Sequence, residues 1–321
     1  MNLSLDFVCE AVGGRIISGN SGIMVSGICT DSRKVNKDNI FIALKGEKYD
    51  AHEFVDQALE QSAAGAIVSR SEKTYHPGEN QTLIQVEDTL KALQDLAAAY
   101  RRLFSIPVIA VTGSVGKTTT KDIISSCLRT RFNVLKTEGN FNNDIGLPLS
   151  LLQLEKEHDI AVVELGMSSP GEIARLAAIS SPTYAVITNV LPVHLETMLT
   201  LENIARAKCE ILPALGSKGM ALINGDDELL LKTARDITGN LLTFGYNTKC
   251  DFQILETHLT ESGQKLKLRL LDQYEGDFFF PVPAAKLASN IIASASLAYL
   301  LGINPEDIQS GLSAITPAAT V

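Results

Sequence analysis

Hydrophobic positions along the chain recur at two spacings. Between residues 88 and 104, Leu90, Leu93, Leu96, Ala97, Tyr100 and Phe104 follow the i, i+3, i+4, i+7 rule. That predicts an amphipathic helix, with Asp88 or Thr89 at its cap. Upstream, strand-like runs cover 23–28, 39–44, 65–69 and 82–86, and Phe54, Ala58 and Leu59 give 52–64 helical spacing. The polar stretch 71–81, with Pro77-Gly78, reads as a loop. Ser105-Ile106-Pro107 ends the long helix, and a boundary between domains 1–105 and 106–321 is expected there.

From Pro107 the spacing changes. Short apolar, β-branched runs at 108–111, 134–136, 160–164, 185–188, 221–224 and 241–244 alternate with helical segments at 117–130, 170–179, 201–215 and 226–237. Such alternation predicts buried parallel strands joined by right-handed helical crossovers. After Phe244, residues 251–257 and 265–271 alternate apolar and polar, and 278–283 follows, as in an antiparallel meander at a sheet edge. An apolar helix at 287–301 ends at Gly302, and Pro305 starts another. The expected fold class is α/β: a small N-terminal α/β domain, then a mostly parallel, doubly wound sheet domain.

Composition narrows the function classes. A chain of 321 residues, 45% hydrophobic, is too long for one ordinary core and too apolar for disorder. A net charge of -9 disfavours bulk nucleic-acid binding but permits a phosphorylated small molecule. No apolar run is long enough for a membrane span, and the start, with Asp6 and Glu10, lacks the basic region of a secretory signal. Cys9, Cys29, Cys127, Cys209 and Cys250 form no C-x-x-C pair, so reduced thiols in the cytoplasm are expected.

The strongest chemical signal is Val111-Thr-Gly-Ser-Val-Gly-Lys-Thr-Thr-Thr120, which follows a predicted strand and opens a predicted helix. Backbone N–H groups of such a loop cradle phosphate oxygens, so the sheet domain is expected to be of the P-loop type. Lys117 would reach the β- and γ-phosphates, and the Thr118 hydroxyl would bind Mg²⁺. Val111 stands where the first glycine of the usual motif belongs. The amide-rich stretch Thr137 to Pro148 follows the next strand and is either a ligand loop or an Asn/Gly turn. Glu164 ends another strand, as a Mg²⁺ ligand or a helix N-terminal charge. His194 lies past a further strand end; Lys208 sits in an amphipathic helix, where spacing alone reads as a solvated lysine. In Ile223-Asn-Gly-Asp-Asp227, Asp226 either caps the following helix or contacts a nucleotide.

Taken together, the chain resembles the Mur ligases, ATP-dependent amide ligases of cell-wall precursor synthesis related to folylpolyglutamate synthases. The shared features are the short P-loop, Glu164, the Asn189 to His194 segment, Ala207-Lys208 and Asn224 with Asp226-Asp227. Asp31-Ser32-Arg33, Phe41 to Glu47, His52-Glu-Phe54, Gly139 to Pro148 and Glu164 to Ile173 are most similar to the branch that joins D-Ala-D-Ala to UDP-N-acetylmuramoyl-tripeptide. The resemblance implies a substrate domain at 1–105, an ATP domain at 106–321 and an acyl-phosphate intermediate. It implies Gly113, Ser114, Gly116, Lys117, Thr118, Thr119, Asp226 and Asn290 at the nucleotide, and Ser32, Arg33, Lys45, Gly46, Glu47, Asn140 and Asn143 at the substrate. Thr118, Glu164, His194 and a carbamylated Lys208 would hold Mg²⁺, with Lys117, His194 and Lys208 the catalytic groups. A monomer is expected, with no nucleic-acid partner and no membrane insertion.

Two features depart from the family. Where Gly-x-His-Asn-x-x-Asn is usual, Ala284-Ala-Lys-Leu-Ala-Ser-Asn290 keeps only Asn290. The family also carries a third, C-terminal domain that this chain does not reach, so a shortened form with little or no turnover is expected. Another Mur-type or folylpolyglutamate ligase, and a non-catalytic nucleotide-binding paralogue, stay open as alternatives.

Overall fold

The computed structural model describes residues 1–46, 48–69, 73–193 and 195–316. The described chain forms two compact units: Met1–Phe104 with Asp144–Glu155, and Ser105–Asn143 with Lys156 onward.

The first unit is built on a five-stranded sheet in the order Arg15–Ser18, Thr82–Gln85, Gly65–Val68, Asn39–Ile42, Gly27–Cys29. Only the first pair is antiparallel. Strands Asn39–Ile42 and Gly65–Val68 are buried at every residue, as interior parallel strands must be. Phe41, Val55, Leu59, Val68 and Leu83 form a core on one face. The expected helix at 52–64 is a 3₁₀ turn, Ala51–Phe54, followed by the α-helix Val55–Glu60. Helix Thr89–Arg101 is capped by Asp88, whose Oδ1 accepts from the N–H groups of Leu90 (2.7 Å) and Lys91 (3.1 Å). Helix Gly146–Leu151 packs against it. Gln94 Nε2 donates to Asp144 O (3.2 Å) and Tyr100 Oη to Leu154 O (2.7 Å). At the N-terminus, helix Leu5–Ala11 and strands Leu3–Ser4 and Arg15–Ser18 lie where the sequence carries no predicted element.

The second unit holds a nine-stranded sheet. Its order is Tyr274–Phe280, Gly263–Leu270, Phe252–Thr260, Leu241–Gly245, Met220–Asn224, Tyr184–Ile187, Val108–Thr112, Ile160–Glu164, Val134–Lys136. The strands from Val134–Lys136 to Leu241–Gly245 are parallel, and the edge is the antiparallel meander that alternation predicted. This is the α/β, doubly wound class expected. Strand order reverses at Val108–Thr112, which lies between the strands that come third and fourth in the unit. A crevice opens at the carboxyl ends of strands at such a reversal, and ligands bind there. The helix expected over 201–215 stops at Cys209; a 3₁₀ turn, Leu212–Leu215, follows because Pro213 has no N–H to continue the ladder. Among the described residues, no helix is long and apolar enough to cross a membrane.

Helices Ala288–Leu300 and Pro305–Ser313 pack on the helix Lys117–Leu128 that leaves the P-loop. A side chain at Gly311 would run into the backbone of Cys127, and Ser126 Oγ donates to Gly311 O (2.7 Å). Overpacking a backbone contact costs about 1–3 kcal/mol. Gly311→Ala is therefore expected to lower stability by that amount in urea unfolding; an unchanged midpoint would show that the helix pair has slack.

Candidate active site

Strand Val108–Thr112 delivers the chain into Gly113-Ser114-Val115-Gly116, and Lys117 begins the helix. The loop is possible only with glycine at two points. Gly113 has φ +148° and Gly116 φ +81°; a Cβ would collide with the Thr188 side chain at the first and with Asn290 at the second. The loop is seated on residues 188–191, which follow strand Tyr184–Ile187. Ser114 N–H donates to Asn189 O (3.0 Å), Val115 N–H to Asn189 Oδ1 (3.0 Å), and Asn189 Nδ2 to Val115 O (3.1 Å). Thr188 Oγ1 also donates to Val115 O (2.8 Å), and Leu191 N–H donates to Ser114 Oγ (2.8 Å). The donors of Ser114 and Val115 are thus committed within the protein. The N–H groups of Lys117, Thr118 and Thr119, in the first helical turn, have no intrahelical acceptor, an arrangement that suits an anion.

Lys117 Nζ folds back onto the carbonyls of Gly113 (3.0 Å) and Ser114 (3.2 Å). Burial lowers its pKa, and the Glu164 carboxylate opposes that shift. Glu164 is 1% exposed. Its Oε2 accepts from Thr118 Oγ1 (2.8 Å) and its Oε1 from Asn142 Nδ2 (2.7 Å). Lys121 Nζ lies 3.9 Å from Oε2 and donates to Thr137 O (2.8 Å) and Gly139 O (3.3 Å). Glu164 thus sets its carboxylate against the first turn of the P-loop helix, through the Thr118 hydroxyl. Periodicity pointed to neither Lys121 nor Asn142; a lysine one turn after Thr118, on the same helix face, was the available signal.

Lys208 is buried, not the solvated lysine that spacing suggested. Burial lowers its pKa to about 7, and the Lys117 ammonium adds to the effect. Asp226 does not cap the following helix; Asp227 does, its Oδ1 accepting from Leu230 N–H (3.0 Å). Asp226 instead accepts from the N–H groups of Tyr246 (2.8 Å) and Asn247 (2.8 Å), because Gly245 brings that loop against its carboxylate. Asn290 braces the loop from behind: its Nδ2 donates to Gly116 O (3.2 Å) and Thr120 Oγ1 (2.8 Å). Asn140 and Asn143 are exposed, in the loop that carries half-buried Asn142. His194 and Glu47 lie outside the described residues.

The first unit has its own cavity, of about 630 Å³, lined by Ser32, Arg33, Phe41, Tyr49, Phe54 and Gln57 among others. Ser32 Oγ donates to Gln57 Oε1 (3.2 Å), and Arg33 forms a fork with Asp31 that holds the Asp31 pKa near 2. Lys45 and Gly46 belong to a turn, closed by Gly46 N–H to Tyr49 O (2.9 Å), that carries Tyr49 to the cavity wall. Buried His52 fixes the end of that turn: Nδ1 lies 2.6 Å from Asp50 Oδ1, and Nε2 accepts from Ser69 N–H (3.0 Å).

The Mur ligase middle domain matches residues 111–298, and the Mur ligase family catalytic domain matches residues 24–101. The UDP-N-acetylmuramoyl-tripeptide–D-alanyl-D-alanine ligase of Bacillus subtilis is 41% identical over 292 residues, which are 91% of this chain and 62% of that protein. That of Escherichia coli is 35% identical over 316 residues, 98% of this chain and 68% of the relative. The chain therefore spans just over three-fifths of the length of the Bacillus relative. Among solved structures, MurF from Acinetobacter baumannii superposes with a TM-score of 0.90 at 32% identity, covering 98% of this chain and 69% of that one. MurF from Thermotoga maritima in complex with ADP does so at 0.80 and 32%, covering 90% and 66%. On these matches and on the P-loop seated at the strand reversal, the chain belongs to the Mur ligase family.

Proposed function

We propose that this chain carries the substrate and nucleotide units of an ATP-dependent amide ligase that joins D-Ala-D-Ala to UDP-N-acetylmuramoyl-tripeptide in peptidoglycan precursor synthesis. The observation that carries the reading is the hydrogen bond from the exposed Thr118 hydroxyl to the buried Glu164 carboxylate beside a P-loop, in a chain 41% identical to a ligase of that name. The reaction joins the tripeptide's terminal carboxylate to an amine by way of an acyl phosphate, with ATP as phosphoryl donor and Mg²⁺ supplying charge.

The donor set fits the metal. Mg²⁺ takes hard oxygens and is held by one or two carboxylates, phosphates and water rather than by an all-protein cage. Thr118 offers a hydroxyl and Glu164 a carboxylate, 2.8 Å apart. Among the described residues no cluster of three or more His, Cys, Asp or Glu forms a cage. His194 is assigned by its motif, together with Glu164, to a second Mg²⁺, the first lying at Thr118. The first-turn N–H groups of Lys117, Thr118 and Thr119 and the Lys117 ammonium hold the phosphates. A Lys208 amine with a pKa of about 7 is substantially neutral at neutral pH, the form that adds CO₂ to become a carbamate. Carbamylation turns this cation into an anion and removes a repulsion from Lys117.

The first unit takes the UDP-muramoyl moiety, with Ser32, Arg33 and the turn of Lys45 and Gly46 at its cavity and Glu47 assigned by motif. Asn140 and Asn143 reach the peptide side, and Asp226 shapes the nucleotide side through the loop at Tyr246. Five free cysteines suit a monomer in the reducing cytoplasm. Supply of this precursor links the protein to cell shape and division.

In thermal-shift titrations, Mg·ATP and UDP-muramoyl-tripeptide are each expected to stabilise the protein by about 2.7 kcal/mol at 100 times Kd, and UDP-muramoyl-alanine by much less. Lys117→Ala should abolish only the nucleotide response. Response to ATP without response to either muramoyl compound would sink the cell-wall assignment; no response to ATP would sink the P-loop reading.

The Lys208 shift has a separate consequence for stability. Its folded-state pKa, about 7, lies below the ordinary lysine value of 10.5, so between these values the unfolded chain binds a proton that the folded one does not. Stability therefore rises with pH across that window. In CO₂-free buffer Lys208→Met should be more stable than wild type at pH 7, by a few kcal/mol, with the difference vanishing near pH 10.5. A pH-independent difference would mean the amine is hydrated.

A further inference from the structure

The P-loop rests on residues 188–191, and something must hold that segment in turn. Thr188 N–H donates to Thr112 O (3.0 Å), and Asn224 Nδ2 donates to Thr188 O (2.9 Å). Asn189 is tied to Ser114 and Val115, and Leu191 to Ser114. The remaining peptide, Val190, donates its N–H to Asp227 Oδ2 (2.8 Å). Asp227 therefore uses its two oxygens for separate purposes. Oδ1 caps helix Glu228–Arg235 through Leu230 N–H (3.0 Å), and Oδ2 anchors the strip on which the phosphate loop is seated.

The structure assigns to Asp227 the role of a positioning residue for the nucleotide site, acting through Val190 and Asn189 on the backbone of the P-loop. The assignment rests on the proposed nucleotide reading and adds to it a residue on a different strand end, with no contact to the phosphates required. A helix cap alone would leave Oδ2 to solvent. Here it is spent on a peptide 37 positions away in sequence. An anion cradle made of backbone N–H groups depends on orientation fixed before the ligand arrives, so loosening the strip costs affinity even if the fold is retained.

The two functions separate by substitution. Serine is a good N-cap but has one oxygen, so Asp227→Ser keeps the helix cap and releases Val190. Asp227→Asn, with one accepting oxygen, serves as a second variant of the same kind should the serine form fail to fold. Both are to be compared with wild type for Mg·ADP affinity by calorimetry, for UDP-muramoyl-tripeptide affinity, and for unfolding without ligand. The expected result is an ADP affinity lowered about ten- to a hundredfold, the ratio for one lost hydrogen bond to a charged group. The muramoyl compound should bind as before, and hydrogen exchange should speed up at Ser114, Val115 and Val190. Unchanged ADP affinity in a folded variant overturns the assignment and leaves the nucleotide reading standing. Wild-type protein that binds no ADP overturns the nucleotide reading and this assignment with it.

Discussion

A carboxylate has been taken out of water at Glu164, and much of the second unit is arranged around that fact. The residue ends a strand that is buried along its whole length. Removing such a charge from solvent costs several kcal/mol unless other donors replace the water. The replacements come from separate stretches of chain: Thr118 and Lys121 from the P-loop helix, Asn142 from the loop after strand Val134–Lys136. Thr137 Oγ1 accepts from the backbone N–H of Glu164 itself (3.2 Å). Because the donors answer to one acceptor, the P-loop helix and the asparagine loop cannot shift independently.

The glycines and Asn290 act in the opposite sense, by closeness rather than charge. Gly113 and Gly116 let Thr188 and Asn290 approach the loop where any side chain would stand. Asn290 reaches from the late helix Ala288–Leu300 to the carbonyl of Gly116 and the hydroxyl of Thr120. The stretch that departs from the family pattern thus retains a residue that supports the P-loop from behind.

Much of this was legible in the residues. Strands buried on both faces need uninterrupted apolar runs, so Val108–Thr112, Ile160–Glu164 and Met220–Asn224 stood out, and with them the positions at their carboxyl ends. The P-loop is local in sequence and so could be read directly. What periodicity could not show was burial of polar groups. Lys121 and Lys208 look like surface lysines until the fold closes over them. Adjacent Asp226 and Asp227 look equivalent, and only the approach of Gly245 and Val190 from distant strands tells them apart. Helix Leu5–Ala11 and helix Gly146–Leu151 are too short to carry a period, and the return of 144–155 to the first unit depends on contacts no window contains.

That return sets an order of events on the ribosome. The first unit is not complete when residue 104 has been made, because Leu147, Leu151 and Leu154, all fully buried, are still to come. At about 5–20 residues per second the missing piece arrives roughly 3–10 seconds later, after the P-loop and its helix have emerged. Until then one face of helix Thr89–Arg101 has no cover, so the nascent N-terminal sheet must wait, partly open, for a segment encoded inside its neighbour.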